Sequence, residues 1–312
     1  MDDLLKDVPP WLVAGWAALS GATVGSFLNV VIARLPAGQS VVTPRSRCPR
    51  CETPIAWYDN LPVLSWFLLR ARCRACHQPI SIRYPLVELA GGLAGWLALE
   101  RNGPTLRALA EFTLVALLLA LAAIDLDTWL LPHRLTWPLI ALGLAAAALG
   151  VSPAPSLASA ALGGALGFGA FALVSLIGAR LFKKEALGFG DVFLLGALGA
   201  WLGAGALLPV VLLASLQGSV VGLALILAGR SQPGPAPLAE PPQPGTAPPE
   251  VTATARGEAP PQAAPVTDSD EAPWIPPRHA LPFGPFLVAG ALEWLWLGER
   301  LGAAVPLLGI FR

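Results

Sequence analysis

The sequence predicts an all-α polytopic membrane protein with about eight transmembrane helices and one small polar loop. Three observations carry that prediction. The 312-residue chain is 55% hydrophobic, has a mean hydropathy of +0.63 and carries only 13% charged residues; soluble domains carry about 25%. Its apolar residues fall into successive runs, several close to the roughly 20 residues that cross a bilayer. One hydrophilic segment interrupts them early and holds all four cysteines.

Residues 1–33 read as the first transmembrane helix, with its apolar run at about Trp11 to Ile32. The acidic start (Asp2, Asp3, Asp7) lacks the basic region of a cleaved signal peptide, so this run is expected to stay as an anchor. Residues 34–84 form the polar loop, and residues 85–230 a transmembrane core. Runs in that core lie at about 85–100, 106–124, 135–150, 157–179, 191–203 and 206–228. Gly163, Gly164 and Gly167 put small residues near four-residue spacing, which lets helices approach closely in lipid. Residues 231–282 hold 15 of the 32 prolines and almost no aliphatic residues. They read as a flexible, proline-rich cytoplasmic linker that cannot bury enough apolar surface to order itself. Residues 283–312 supply the last helix, with its run at about 283–298, and a tail.

Charge sets the expected orientation. Residues 34–83 contain eight arginines and few acids, and cytoplasmic loops carry the Lys/Arg excess. Counting spans from there puts the segment from Asp125 to Arg134 on the cytoplasmic face. The segment from Arg180 to Asp191, with Lys183 and Lys184, falls on the same face. The formal net charge is zero and gives no reason to expect a nucleic-acid partner; the lipid bilayer is the expected environment.

Cys48-Pro49-Arg50-Cys51 and Cys73-Arg74-Ala75-Cys76 are two CxxC turns separated by 21 residues. Each supplies two thiolates on a tight turn, and two such turns complete a tetrahedral Zn²⁺ site. Local disulfides are the alternative, disfavoured by a reducing cytoplasm. A closed four-thiolate site leaves no open position for catalysis, so the predicted zinc is structural and folds a loop too small for its own core. His77 reads as a neighbour of the site and not as a ligand.

Two acidic motifs flank apolar runs. Gly188-Phe189-Gly190-Asp191 opens one, its glycines allowing a sharp bend and a close approach. Asp125 and Asp127 close another, just before Leu131-Pro132. Ionised side chains at such places are costly and point to function. Asp191 and Asp125 are the predicted catalytic pair of an aspartic protease, with Gly188 and Gly190 in support, while Asp127 reads equally well as a polar residue marking a helix end in the interfacial zone. Asp191, at a helix start, is the expected base and Asp125 the expected acid. Acids acting as proton-coupled sites in a transporter are the alternative from another class.

The chain resembles the bacterial type IV prepilin peptidases along nearly its whole length. The resemblance lies in Gly25-Ser26-Phe27-Leu28-Asn29-Val30-Val31-Ile32-Ala33-Arg34-Leu35-Pro36 and in the double CxxC loop with Asn60-Leu61-Pro62-Val63-Leu64-Ser65-Trp66. It continues in Ile80-Ser81-Ile82-Arg83-Tyr84-Pro85-Leu86-Val87-Glu88, in Ile124-Asp125-Leu126-Asp127 with Leu131-Pro132, in the GxGD motif, and in Pro282-Phe283-Gly284-Pro285-Phe286. It implies a multi-pass GxGD aspartic endopeptidase of the bacterial inner membrane. Such an enzyme trims the leader of prepilins or pseudopilins at an active site facing the cytoplasm. Many members then methylate the new amino group with S-adenosylmethionine; the resemblance would place that activity in residues 25–88 and names no cofactor-binding residue. The family's first catalytic aspartate stands seven residues before the proline, which is Asp125 here, and its second is Asp191; the resemblance then implies a supporting role for Asp127. His133 departs from the acid that often follows Leu-Pro, and the proline-rich insert is unusual for the family.

Overall fold

The structure, a computed structural model, describes residues 8–182, 188–229 and 281–305. The proline-rich linker therefore lies outside the described residues except at its last two positions, as do the acidic amino terminus and Lys183 and Lys184. Among the described residues there is no strand, only two isolated antiparallel bridges. Helix α1 spans Pro10–Arg34, and α2 is a short helix at Leu64–Leu68 within the polar loop. Then come α3 (Arg83–Asn102), α4 (Leu106–Thr128), α5 (His133–Ala148), α6 (Leu157–Phe182), α7 (Phe189–Leu202), α8 (Leu207–Leu227) and α9 (Gly284–Ala304).

Each predicted run is a helix. Four of the helices are long and apolar enough to cross a membrane by themselves: Pro10–Arg34, Leu106–Thr128, Leu157–Leu181 and Ala204–Leu227. The others fall short for two physical reasons. α7 is apolar but has 14 residues, or about 21 Å of helix, and α5 has 16; the hydrocarbon layer is about 30 Å thick. α3 and α9 are long enough but carry charges within them, among them Glu88, Glu100 and Arg101, and Glu293, Glu299 and Arg300.

Local signals end the helices. Thr105 caps α4 by accepting the Ala108 N–H, and Trp129 closes it in a left-handed conformation (φ 58°) with its N–H on the Asp125 carbonyl. Gly103 ends α3 and Gly203 ends α7, both with positive φ that glycine adopts without strain.

Glycine sets how closely the helices pack. α1 lies on α3 so tightly that a Cβ on Gly21 would sit 2.3 Å from the Gly91 carbonyl oxygen. α6 lies on α7 the same way: a Cβ on Gly199 would sit 2.1 Å from the Gly163 carbonyl oxygen, and one on Gly167 2.5 Å from that of Leu195. The close-packing role expected of Gly163 and Gly167 is thus met at backbone contact distance. α7 is the centre of the molecule, with every residue from Asp191 to Leu202 buried. α5, α6 and α9 surround it. Trp201 locks it to α5, donating its indole N–H to the Leu139 carbonyl at 2.7 Å, while Ser152 donates to the Trp201 carbonyl at 2.7 Å. α4 packs on α1, α3 and α9. Both aspartates of the predicted pair thus project from the most enclosed helices of the bundle.

Candidate active site

The polar loop is built from two copies of one small unit. Arg47-Cys48-x-x-Cys51-x-x-Pro54-Ile55 recurs 25 positions on as Arg72-Cys73-x-x-Cys76-x-x-Pro79-Ile80. Cys48 N–H donates to the Thr53 carbonyl and Glu52 N–H to the Cys48 carbonyl; Cys73 and Gln78, then His77 and Cys73, repeat both bonds at 2.9 to 3.0 Å. Bridges Arg47–Pro54 and Arg72–Pro79 close the two turns, and Glu52 and His77 both adopt φ near +55°. The sequence reading noticed the CxxC pairs but not this repeat. His77 occupies the turn position equivalent to Glu52, which explains its place beside the cysteines without making it a ligand.

The two turns bring the four thiols of Cys48, Cys51, Cys73 and Cys76 within 4.8 Å of one another, and Cys48 Sγ lies 3.9 Å from Cys76 Sγ. Tetrahedral Zn–S bonds of 2.3 Å put sulfurs about 3.8 Å apart. The donor set and its spacing fit a metal ion, and no pair is joined as a disulfide. Thr53 Oγ1, 3.3 Å from Cys51 Sγ, helps draw that thiol down to about 6. Arg74, between the second pair of cysteines, grips Asp59 with two hydrogen bonds of 2.7 and 2.6 Å and holds its carboxyl below the usual range. The loop is tied to the helices at several points. Val63 N–H donates to Glu88 at 2.7 Å, Asn29 donates to the Tyr84 carbonyl at 3.1 Å, and Arg34 donates to the carbonyls of Ser40 and Pro44.

Asp125 and Asp191 come from elements separated by two intervening helices and are brought together. Asp125 lies in the last turn of α4, 5% exposed, and Asp191 in the first turn of α7, 9% exposed. Each is close enough for the charge of Asp125 to bear on Asp191. Leu131 is the shared neighbour. It packs beneath the GxGD turn, where a Cβ on Gly190 would meet Leu131 Cβ at 2.7 Å, and it also reaches the backbone beside Asp125 at Gly284.

The two glycines of the motif therefore act differently. Gly190 is small because Leu131 needs the space. Gly188 has an ordinary extended conformation (φ −61°, ψ 132°), and a Cβ there would make only a normal contact, 3.8 Å from Asp191 Oδ2. Its carbonyl accepts the Asp191 N–H at 3.0 Å. Asp127 stands apart from the pair. It is half-exposed and bonded to Arg83 Nη1, while Arg83 Nη2 donates to the Ala123 carbonyl at 3.3 Å. Arg83 and Leu131 stand in motifs that the sequence shows, but sequence reasoning assigned neither a role at the site. Nothing local announces either, since one partner lies 44 residues away and the other contact joins three separate elements. His133, one residue past the Leu-Pro, turns its ring edge-on to Phe193 at 4.7 Å.

Comparison with known proteins agrees with this division of the molecule. Residues 19–101 match the bacterial peptidase A24 N-terminal domain, and residues 112–223 match the type IV leader peptidase family. A prepilin leader peptidase/N-methyltransferase of Myxococcus xanthus is 44% identical over 317 residues, covering 95% of this chain and 93% of the relative. One of Klebsiella pneumoniae is 47% identical over 212 residues, covering 66% and 92%, and one of Aeromonas hydrophila is 42% identical over 244 residues, covering 70% and 83%. No solved structure matches. With the paired acids and the four-thiol loop each falling inside a matched region, this chain belongs to the type IV leader peptidase family.

Proposed function

We propose that this membrane peptidase hydrolyses the leader peptide bond of prepilins or pseudopilins between Asp125 and Asp191. The observation that carries this reading is the placing of two enclosed carboxylates, from α4 and α7, about Leu131, which packs on Gly190 beside Asp191 and faces Gly284 beside Asp125. One carboxylate, unprotonated, takes a proton from water as its oxygen attacks the peptide carbonyl. The other, protonated, delivers its proton to the departing amine as the tetrahedral intermediate collapses. Asp191, at the positive end of α7, is assigned the base and Asp125 the acid. The names carried by the relatives support leader cleavage and remove the transporter alternative.

All the helices but the five-residue α2 are assigned to the membrane, with the short α7 enclosed by the longer ones. The arginine-rich loop and both acids then face the cytoplasm, in keeping with the Lys/Arg excess of cytoplasmic loops. Cys48, Cys51, Cys73 and Cys76 would hold a structural Zn²⁺, whose contribution is to fix the fold of the loop. Methylation of the new amino terminus by S-adenosylmethionine is assigned on the strength of the relatives' names, and its place in residues 25–88 on the resemblance described above. No arrangement of described side chains there marks a place for the methyl donor.

Mass spectrometry of a candidate prepilin incubated with the purified enzyme tests the reading. Leader loss is expected with the natural chain and absent with Asp125→Asn or Asp191→Asn, while a further 14 Da appears only when about 1 mM S-adenosylmethionine, near the upper range of ordinary enzyme KM values, is added. Cleavage by either variant would rule out the pairing.

A further inference from the structure

We infer that Gly284, the first residue of α9, is a positioning residue that seats Asp125 for reaction; this rests on the catalytic pairing proposed above. Gly284 is buried, and a Cβ built on it would lie 2.5 Å from Asp125 Oδ2, 3.2 Å from its Cγ and 3.5 Å from Leu131 Cδ1. Its helical conformation suits any residue, so backbone freedom is not why glycine stands there. The carboxylate occupies the space in which a side chain would begin.

The other side of the contact is equally specific. Asp125 Oδ2 is enclosed and has no hydrogen-bond partner of good geometry among the described residues. Such an oxygen is costly unless something offsets its burial. What it faces is the start of a 21-residue helix, whose first residue is Gly284. The next residue, Pro285, has no N–H, and the Phe286 N–H is already bonded to the Phe283 carbonyl at 3.1 Å. Gly284 thus provides the free amide of that first turn, and a helix start attracts negative charge. Asp191 stands in the positive first turn of its own helix, whereas Asp125 closes α4 at that helix's negative end, which keeps it the acid, and meets the positive end of another. For Asp125 that end belongs to a helix more than 150 residues further along the chain.

Leu131 sets the register. One face touches Gly190, beside Asp191, and its Cδ1 faces Gly284, beside Asp125. A methyl group at 284 displaces Asp125, or moves α9 away from Leu131, and in both cases separates the acids from their reacting geometry. Displacements of this size cost about 100-fold in rate.

The test compares Gly284→Ala with Gly290→Ala in the full-length enzyme. A Cβ on Gly290 would lie 2.8 Å from the Val210 carbonyl oxygen, within the α8–α9 packing and away from the acids. Gly284→Ala is expected to lose about 100-fold in kcat per folded molecule with KM within about threefold. Gly290→Ala is expected to lose activity only in step with its folded fraction. Should Gly284→Ala not fold, the contact is tested directly in the double variant Asp125→Cys/Gly284→Cys. Oxidation in membranes is expected to join the two by a disulfide and to give a linked 125–284 peptide on mapping. Unchanged kcat in Gly284→Ala, a loss that follows folding alone, or no cross-link in the double variant would each overturn the inference. Asp125→Asn, run alongside, separates the two claims: if it stays active the pairing fails, and if it is dead while Gly284→Ala is fully active only the role of Gly284 fails.

Discussion

The cysteine loop and the helix bundle are held together by opposite means. In the loop almost nothing is buried: Trp57 is 73% and Phe67 63% exposed, and Cys48 and Ser65 are its only buried residues among those described. Backbone hydrogen bonds of the two turns and the Arg74–Asp59 grip shape it, and four thiols converge where a core would otherwise be. In the bundle, Asp191 to Leu202 are entirely enclosed and glycine contacts bring backbones within touching distance. On the metal assignment proposed above the loop would depend on a ligand, whereas the bundle depends on shape. The two acids proposed as catalytic sit in the part that cannot shift without losing its packing, which suits groups that must hold a fixed separation.

That contrast can be broken most severely at the acids themselves. Asp125→Asn and Asp191→Asn are each expected to remove leader cleavage, by about 10²–10⁴-fold or more, with thermal stability and metal content unchanged. Activity is read by mass spectrometry of the prepilin, and stability by unfolding in detergent. A variant that lost activity and loop metal together would show that the two regions are less separate than the packing indicates.

Next in size is a break in the shape of the bundle. Gly199→Val forces a side chain into the Gly163 backbone, where even a Cβ would lie 2.1 Å from the carbonyl oxygen. Overpacking of this kind costs about 1–3 kcal/mol when neighbours can adjust, and backbone cannot adjust as a side chain does. The expected outcome is loss of folded, active enzyme with metal still bound in the loop. A lowered melting temperature together with unchanged metal per chain would establish it.

The complementary break is Cys73→Ser. It is expected to reduce bound zinc from about one ion per chain to near none and to open residues 46–80 to proteolysis, while the helical signal of the bundle persists. Metal analysis and peptide mapping after brief digestion read both effects. Equal metal content in the natural chain and the variant would remove the metal assignment.

The sequence exposed these two regions unequally. Long apolar runs announce helices because lipid demands that every backbone group be satisfied within the segment, so the helix positions were legible to within a few residues. CxxC spacing made the thiol set legible for an equally local reason. The convergence of Asp125 and Asp191 was legible only as an expectation from charge and span counting. What stayed hidden depends on three-dimensional register. Gly188 and Gly190 look equivalent in the chain, yet Leu131 presses on only one of them. Gly284 was visible as part of a motif, but its contact with Asp125 belongs to a helix on the far side of a proline-rich segment. The membrane count was hidden for another reason: α5 and α7 are too short, and α3 and α9 too charged, for length and composition to decide.

The smallest expected effect lies at the seam between the regions. Arg83 begins α3, directly after the second cysteine turn, and bonds both Asp127 and the Ala123 carbonyl at the end of α4. Both side chains are 38% exposed, and pairs this open contribute about 0.2–1 kcal/mol. Arg83→Ala and Asp127→Asn should therefore cost little stability each, and a double-mutant cycle should return a coupling of that size. If the pair also aligns the last turn of α4, both single variants lower kcat a few-fold, in contrast to Asp125→Asn. The charge-reversed double variant Arg83→Asp/Asp127→Arg then recovers part of the loss, although the Ala123 bond does not return with it. Additive losses with no recovery would mean that the loop and the acids touch here without influencing one another.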